Sequence, residues 1–178
     1  MGIYFLRHLK TVNNKNNIIT GCEDIDILPD QIVTFDSYVQ YFDYIFCSPL
    51  LRCRKTVEFL PKDVIGKIYY LNSLVERNVG VLEGVNKEVA LLQYPELFID
   101  NKLDIYKEIP DGESILDVQE RLTNEILPYI QNYKNKNILI CSHNQTLKVL
   151  YSMIRSIDIN NTFWNKINFE NGVVVNIE

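Results

Sequence analysis

The chain contains only two histidines, His8 and His143, and each stands just after a short apolar run, in "YFLRHLKTVNN" and "ILICSHN". Imidazole can attack an electrophile or shuttle protons near neutral pH. Arg7 directly precedes the first histidine, and a second guanidinium, Arg52, follows "FCSPLL". Planar guanidinium forks bind phosphate oxygens through paired hydrogen bonds. Glu76, in "LVERNVG", adds a carboxylate that can give or take a proton. Together these five groups suit phosphoryl transfer, where charge spreads over equatorial oxygens and positioned cations neutralise it. Singly, a histidine at a strand end is more often a hydrogen-bonded structural residue, and an arginine in a first helical turn is more often solvated. The argument rests on all five arriving together.

For them to meet, the chain must deliver them to one edge of a sheet. Apolar runs of strand length cover residues 3–6, 44–47, 67–71, 137–141 and 173–177. Helical patterns cover 51–60, 87–94, 114–132 and 145–157. This alternation predicts an α/β domain, a three-layer α/β/α sandwich with a mostly parallel central sheet. Ligands of open α/β sheets bind outside the carboxyl ends of the strands. There the sequence puts Arg7 and His8 after the first strand, then Ser48 and Arg52 after the second. Glu76 follows the third, and Ser142 and His143 the fourth. Ser114 can cap the long helix with Asp117 as its capping-box partner. Asn171-Gly172 reads as a tight turn into a last edge strand that can run antiparallel.

Composition narrows the partners. A net charge of −5 argues against a nucleic-acid or anionic-membrane surface, which needs clustered Lys and Arg. At 178 residues with 47% hydrophobic side chains, one domain spanning 1–178 is expected. No apolar run approaches the roughly 20 residues of a membrane span, and no basic, apolar and small-residue leader is seen, so a cytoplasmic location is expected. Cys22, Cys47, Cys53 and Cys141 form no C-x-x-C pair and read as reduced structural thiols. A cysteine phosphatase would need Arg six positions after its nucleophile, where this chain has Leu28, Cys53, Phe59 and Leu147. With two histidines and no carboxylate cluster at ligand spacing, no metal site and no cofactor is expected.

At this point the residues resemble the histidine phosphatase superfamily, also called the phosphoglycerate mutase-like family. Its first motif, Arg-His-Gly-Glu-Thr with Asn two residues further on, is similar to Arg7-His8-Leu9-Lys10-Thr11-Val12-Asn13-Asn14. "CSPLLRCRKT" resembles the segment that carries a phosphate-binding arginine, here Arg52, and "LVERNVGVLEG" the one that carries the acid, here Glu76. "CSHN" stands where the family has Ser-His-Gly and carries His143, and "NGVVVNIE" looks like the closing strand. The matches run in order from residue 3 to the end.

The resemblance implies a phosphoglycerate mutase-like fold and a two-step transfer through phosphohistidine. His8 would attack phosphorus, while Arg7, Asn14, Arg52 and His143 hold the phosphoryl oxygens. Glu76 would protonate the leaving oxygen and then activate water, with no metal required. Glu83 competes for the acid's role but reads as a turn element. Arg54 and Lys55 read as solvated, and Arg77 and Trp164 carry no signal beyond surface charge and packing. The insertion at about 85–110 is short and holds only Lys87, Lys102 and Lys107 as cations, which favours a phosphatase for a small phosphorylated metabolite over a mutase, the second reading. Leu9 and Asn144 replace family glycines. A bulky Leu9 is expected to narrow the pocket or shift the backbone, which supports a third reading, a phosphate-binding relative that does not turn over. Lys10, in place of the motif's Glu, either helps capture an anion at the mouth or is solvated. The substrate is left open, as is the oligomeric state, a homodimer included.

Overall fold

Side chains that alternate along four parallel strands decide where everything else sits. The computed structural model describes residues 2–36, 41–133 and 135–177, so Met1 and Glu178 of the expected domain lie outside the described residues. In chain order the elements are β1 (Gly2–Arg7), α1 (Val12–Lys15), β2 (Thr34–Phe35), β3 (Tyr44–Cys47), α2 (Leu51–Glu58), β4 (Lys67–Tyr70) and α3 (Lys87–Gln93). Then follow β5 (Phe98–Ile99), β6 (Lys102–Leu103), α4 (Ile115–Asn132), β7 (Asn137–Ser142), α5 (Asn144–Arg155), α6 (Asn161–Lys166) and β8 (Val173–Asn176).

The main sheet runs β2-β8-β1-β7-β3-β4. β1, β7, β3 and β4 are parallel, whereas β8 runs antiparallel to β1. Register does much of the site's work. Arg7 pairs with Ser142 and Cys47 with Cys141, so the residues that follow each strand emerge side by side. The ladder even continues one step, with the His8 amide donating to the Ser142 carbonyl at 3.1 Å.

Period-two alternation gives the sheet two buried faces, as a parallel sheet demands. Phe5, Phe46, Ile138 and Ile140 pack against α4 and α5 through Leu122, Ile126, Leu147 and Leu150. Tyr4, Leu6, Ile45, Leu139 and Cys141 face the other way, onto Cys53 and Val57 of α2 and Leu60 beyond it. The result is the expected α/β/α sandwich. Ser114 and Asp117 form both halves of the expected capping box on α4. All four cysteines are free thiols. Among the described residues no helix is long and apolar enough to cross a membrane.

The expectation for the last strand needs correction. β8 is antiparallel, but β2 covers its outer side and takes the edge position. Thr34 and Asp36 donate to the carbonyls of Gly172 and Val174, and a strand of two residues is too short to show periodicity in a sequence.

The segment between Val79 and Ile109 forms a separate roof. Its own small core joins Val79, Leu82, Ala90, Leu97 and Ile109. β5 and β6 close a hairpin through Asp100 and Asn101, both at positive φ, the conformation a tight two-residue hairpin turn requires.

Candidate active site

A cavity of about 490 Å³ opens at the carboxyl ends of the parallel strands, with Arg7, His8, Asn14, Arg52 and Glu76 in its wall. His8 is held at Nδ1, which lies 2.7 Å from the Leu9 carbonyl oxygen. A carbonyl can only accept, so Nδ1 carries the proton and the Nε2 lone pair is free. Burial is the main reason the His8 pKa lies well below its ordinary value, and the charges of Arg52 and Arg7 push the same way. The imidazole is therefore neutral at physiological pH, the form a nucleophile needs.

Arg7 donates through Nη1 to the Phe169 carbonyl at 3.0 Å. Buried polar atoms without a partner gather here, for Arg7 Nε, Thr20 Oγ1 and Gln145 Oε1 all belong to lining residues. Arg52, 1% exposed, comes from the first turn of α2. Its guanidinium donates to the carbonyls of Glu23 at 2.5 Å and Gly21 at 2.7 Å, and to His143 Nδ1 at 3.0 Å. Guanidinium has five N–H donors, so two remain for a ligand. Asn14 closes a capping box with Thr11, which engages its side-chain oxygen and leaves the Nδ2 amine as the donor for the cavity.

Glu76 sits at the N-terminus of α5. Its Oε1 accepts from the amides of Arg77 at 3.0 Å and Thr146 at 3.1 Å and from the Thr146 hydroxyl at 3.2 Å. Oε2 has one longer contact, from the Gln145 amide at 3.3 Å.

His143 is the expected site residue that the cavity wall lacks. It is fully buried behind His8, with ring centroids 5.2 Å apart. Arg52 donates to its Nδ1, so its Nε2 carries the proton and donates to the Ser48 hydroxyl at 2.8 Å. Both nitrogens are engaged, which is why it offers none to a phosphoryl oxygen in this arrangement. Burial, then the charges of Arg52, His8 and Arg7, keep it neutral.

Other expectations change as well. Leu9 does not narrow the cavity. It is buried on the far side, against Gly172, where a Cβ at φ +75° would collide with it. Asn144 does line the cavity, yet its oxygen accepts from the Phe169 amide at 3.2 Å and ties down the segment that also holds Arg7. Lys10 is exposed outside the wall, its backbone clamped by Gln31. Glu83 has a structural place, accepting from the Cys22 amide at 2.8 Å. Arg77 is not a surface charge but wholly buried, donating to the Glu113 carbonyl at 2.7 Å. Trp164, read only as packing, forms part of the wall, and so does Lys148, which the sequence reading passed over. The available signal was spacing: Lys148 follows Asn144 by four residues, hence the same face of α5.

The wall carries five cations, Arg7, Arg52, Lys87, Lys102 and Lys148, against one carboxylate, Glu76, in a chain whose net charge is −5. Such a lining makes the local field positive, which suits an anion.

Comparison with known proteins gives the family and the fold. A family model for the histidine phosphatase superfamily, branch 1, matches residues 3–178. The 2,3-bisphosphoglycerate-dependent phosphoglycerate mutase of Buchnera aphidicola subsp. Cinara cedri is 30% identical over 199 aligned positions, which cover 87% of this chain and 84% of that protein. The uncharacterized phosphatase PhoE of Bacillus subtilis is 29% identical over 157, covering 85% and 76%. The alpha-ribazole phosphatase structure from Shigella flexneri superposes with a TM-score of 0.74 at 18% identity, over 98% of this chain and 88% of that one, and shares the fold. With the motifs in order along the whole chain and the site assembled at the strand ends, the protein is an enzyme of the histidine phosphatase superfamily.

Proposed function

We propose that the protein is a metal-independent phosphatase that hydrolyses a small phosphomonoester through a phosphohistidine on His8. The observation that carries this reading is the His8 ring, neutral and held through Nδ1 so that Nε2 is free in a cation-lined cavity. In the first step Nε2 attacks phosphorus, an N–P bond forms, the ester P–O bond breaks, and Glu76 gives a proton to the departing oxygen. In the second step Glu76 takes a proton from water, the resulting hydroxide attacks phosphorus, the N–P bond breaks, and inorganic phosphate leaves with the ring restored. Oε2, the less engaged oxygen of Glu76, is the one suited to both transfers.

Arg7, Arg52 and the Asn14 amine stabilise the charge on the equatorial oxygens, work that a metal ion does at other phosphoryl-transfer sites. His143 acts through Arg52 as a positioning residue, holding the guanidinium plane while adding no charge. Leu9 faces away from the cavity and Asn144 serves a backbone contact, which weighs against a disabled site. A cytoplasmic location fits the four free thiols.

The mutase is the second reading, favoured by the Lys87 and Lys102 side chains that the roof turns into the cavity. Phosphate release from p-nitrophenyl phosphate in EDTA, with acid-labile phosphate trapped on wild type but not on His8→Ala, is the expected result. Transfer to a second phosphoester without net phosphate release would favour the mutase instead.

A further inference from the structure

A second cavity, of about 320 Å³, borders the segment that links α6 to β8. Ile167 and Asn168 line both this cavity and the catalytic one, so the segment is a partition between them. The floor is apolar: Tyr151 and Phe169 meet edge-on, ring centroids 6.1 Å apart at 67°, and Val175 of β8 adds an aliphatic side. Its cations are Arg155 and Lys166, the last residues of α5 and α6. A cation suits the carbonyl end of a helix, which accounts for one on each. It does not account for both bordering one apolar cavity, exposed and without an ion pair among the described residues. Nor, among those residues, does any carboxylate line the cavity, although the chain's net charge is −5. An apolar floor beneath two unpaired cations suits an organic anion.

The partition also leads to the catalytic groups. The Phe169 carbonyl accepts from Arg7 Nη1 at 3.0 Å, and the Phe169 amide donates to Asn144 Oδ1 at 3.2 Å. A ligand on the Phe169 ring therefore touches the residue that orients Arg7. Trp164, the chain's one tryptophan, lines the catalytic cavity three residues before Ile167.

We propose that the second cavity is an effector site. It binds a carboxylate on an aromatic or branched apolar body, and its occupation tightens anion binding beside His8 by holding Phe169, and through it Arg7, in the arrangement described. A ligand favours the arrangement it fits, and by linkage each site raises the affinity of the other by the same factor. The proposal goes beyond the phosphatase reading and rests on it only where inorganic phosphate is used to fill the catalytic cavity.

The experiment titrates the protein with 3-phenylpropionate, followed by calorimetry and by Trp164 emission, with and without saturating inorganic phosphate. The carboxylate is expected to bind in both conditions, and phosphate should tighten it by about fivefold or more. Saturating carboxylate should tighten phosphate by the same factor. 3-Phenylpropionamide, with the same body and no charge, should bind about tenfold more weakly or worse, the size of a charge-assisted contact. A variant carrying both Arg155→Ala and Lys166→Ala, at exposed positions, should lose carboxylate binding by a similar factor while binding phosphate alone as wild type does. Arg155→Lys with Lys166→Arg should keep it.

Displacement of the carboxylate by phosphate, an amide that binds equally, binding that survives the double alanine variant, or no binding overturns the proposal. So does a carboxylate that binds but leaves phosphate affinity unchanged. Phosphate that binds in neither condition fails the phosphatase reading instead. The carboxylate then still shifts Trp164 emission in wild type and not in the double alanine variant, which keeps the second cavity and its link across the partition.

Discussion

The floor of the cavity and its roof are built on different principles. The floor is the row of strand ends that presents Arg7, His8, Arg52 and, behind them, His143. Each is fixed by a continuous ladder or by buried hydrogen bonds, down to the His8 amide on the Ser142 carbonyl. The roof, from Val79 through α3 to the β5–β6 hairpin, consists of short elements over a satellite core of five buried residues. A rigid floor keeps reacting groups in place, and a roof of small pieces can vary without disturbing them. Under the proposed function, chemistry belongs to the floor and discrimination falls to the roof. Changes on the floor should cost turnover for every substrate.

The sharpest break of that division is His8→Ala. Turnover should fall on the order of 10⁴-fold or more, because among the described residues the cavity wall holds no second histidine, cysteine or serine to replace it, while the far-ultraviolet spectrum and melting point stay close to wild type. A variant that unfolds would return His8 to a structural part. Arg52→Ala follows, with kcat/KM lower by about 10²–10³-fold. It also removes three hydrogen bonds, two of them buried, to His143 Nδ1 and the Gly21 carbonyl, and one part-buried, to the Glu23 carbonyl. Stability should drop by about 2–3 kcal/mol in urea denaturation. Full stability with lost activity would mean that Arg52 serves substrate alone.

The floor was legible in the sequence because strand ends are local: an apolar run, then a chemical residue type, repeated four times. The roof was not. β2, β5 and β6 have two residues each, below any periodicity. Trp164 and Lys148 gained meaning only when α5 and α6 were seen to meet over the cavity. Leu9 shows the limit on the floor itself. Its identity said "bulky", but only the contact with Gly172 showed which way the side chain points. Hence Leu9→Gly, which restores the family's residue, should destabilise by about 3 kcal/mol through a core cavity and added backbone freedom. Phosphate release by the folded variant should not improve. A faster enzyme would mean that Leu9 obstructs the site after all.

Acid offers a gentler probe, since the only two histidines both lie on or behind the floor. Both have folded pKa values well below 6.5. The unfolded chain takes up protons near pH 6.5 while the folded chain does not. Stability is thus fully present above that pH and is lost as pH falls toward the folded values. The slope is up to about 1.4 kcal/mol per pH unit for each histidine. Urea midpoints at pH 7.5, 6.5 and 5.5 should show this decline, with a shallower one in His8→Ala. For the same reason kcat/KM for a substrate whose phosphate is already dianionic across the range, such as p-nitrophenyl phosphate, should have no acid limb at pH 6.5, and a limb there that is absent from the substrate's own titration would show that an enzyme group such as His8 titrates near its ordinary value.

Lys10→Ala should do least, and that is its use. Lys10 stands between floor and roof in sequence, two residues from the nucleophile, and its charge has the right sign to attract an anion. Yet its side chain is exposed outside the wall, and its backbone is secured by Gln31 whatever side chain it carries. Exposed charges act through screened fields, so kcat/KM should change less than about twofold and stability by less than about 0.5 kcal/mol. The measurement is kcat/KM for one anionic phosphomonoester at low and at moderate salt. A loss beyond tenfold at both would extend the cavity outward to include Lys10, and capture of the substrate would then begin on the floor's own loop and not on the roof.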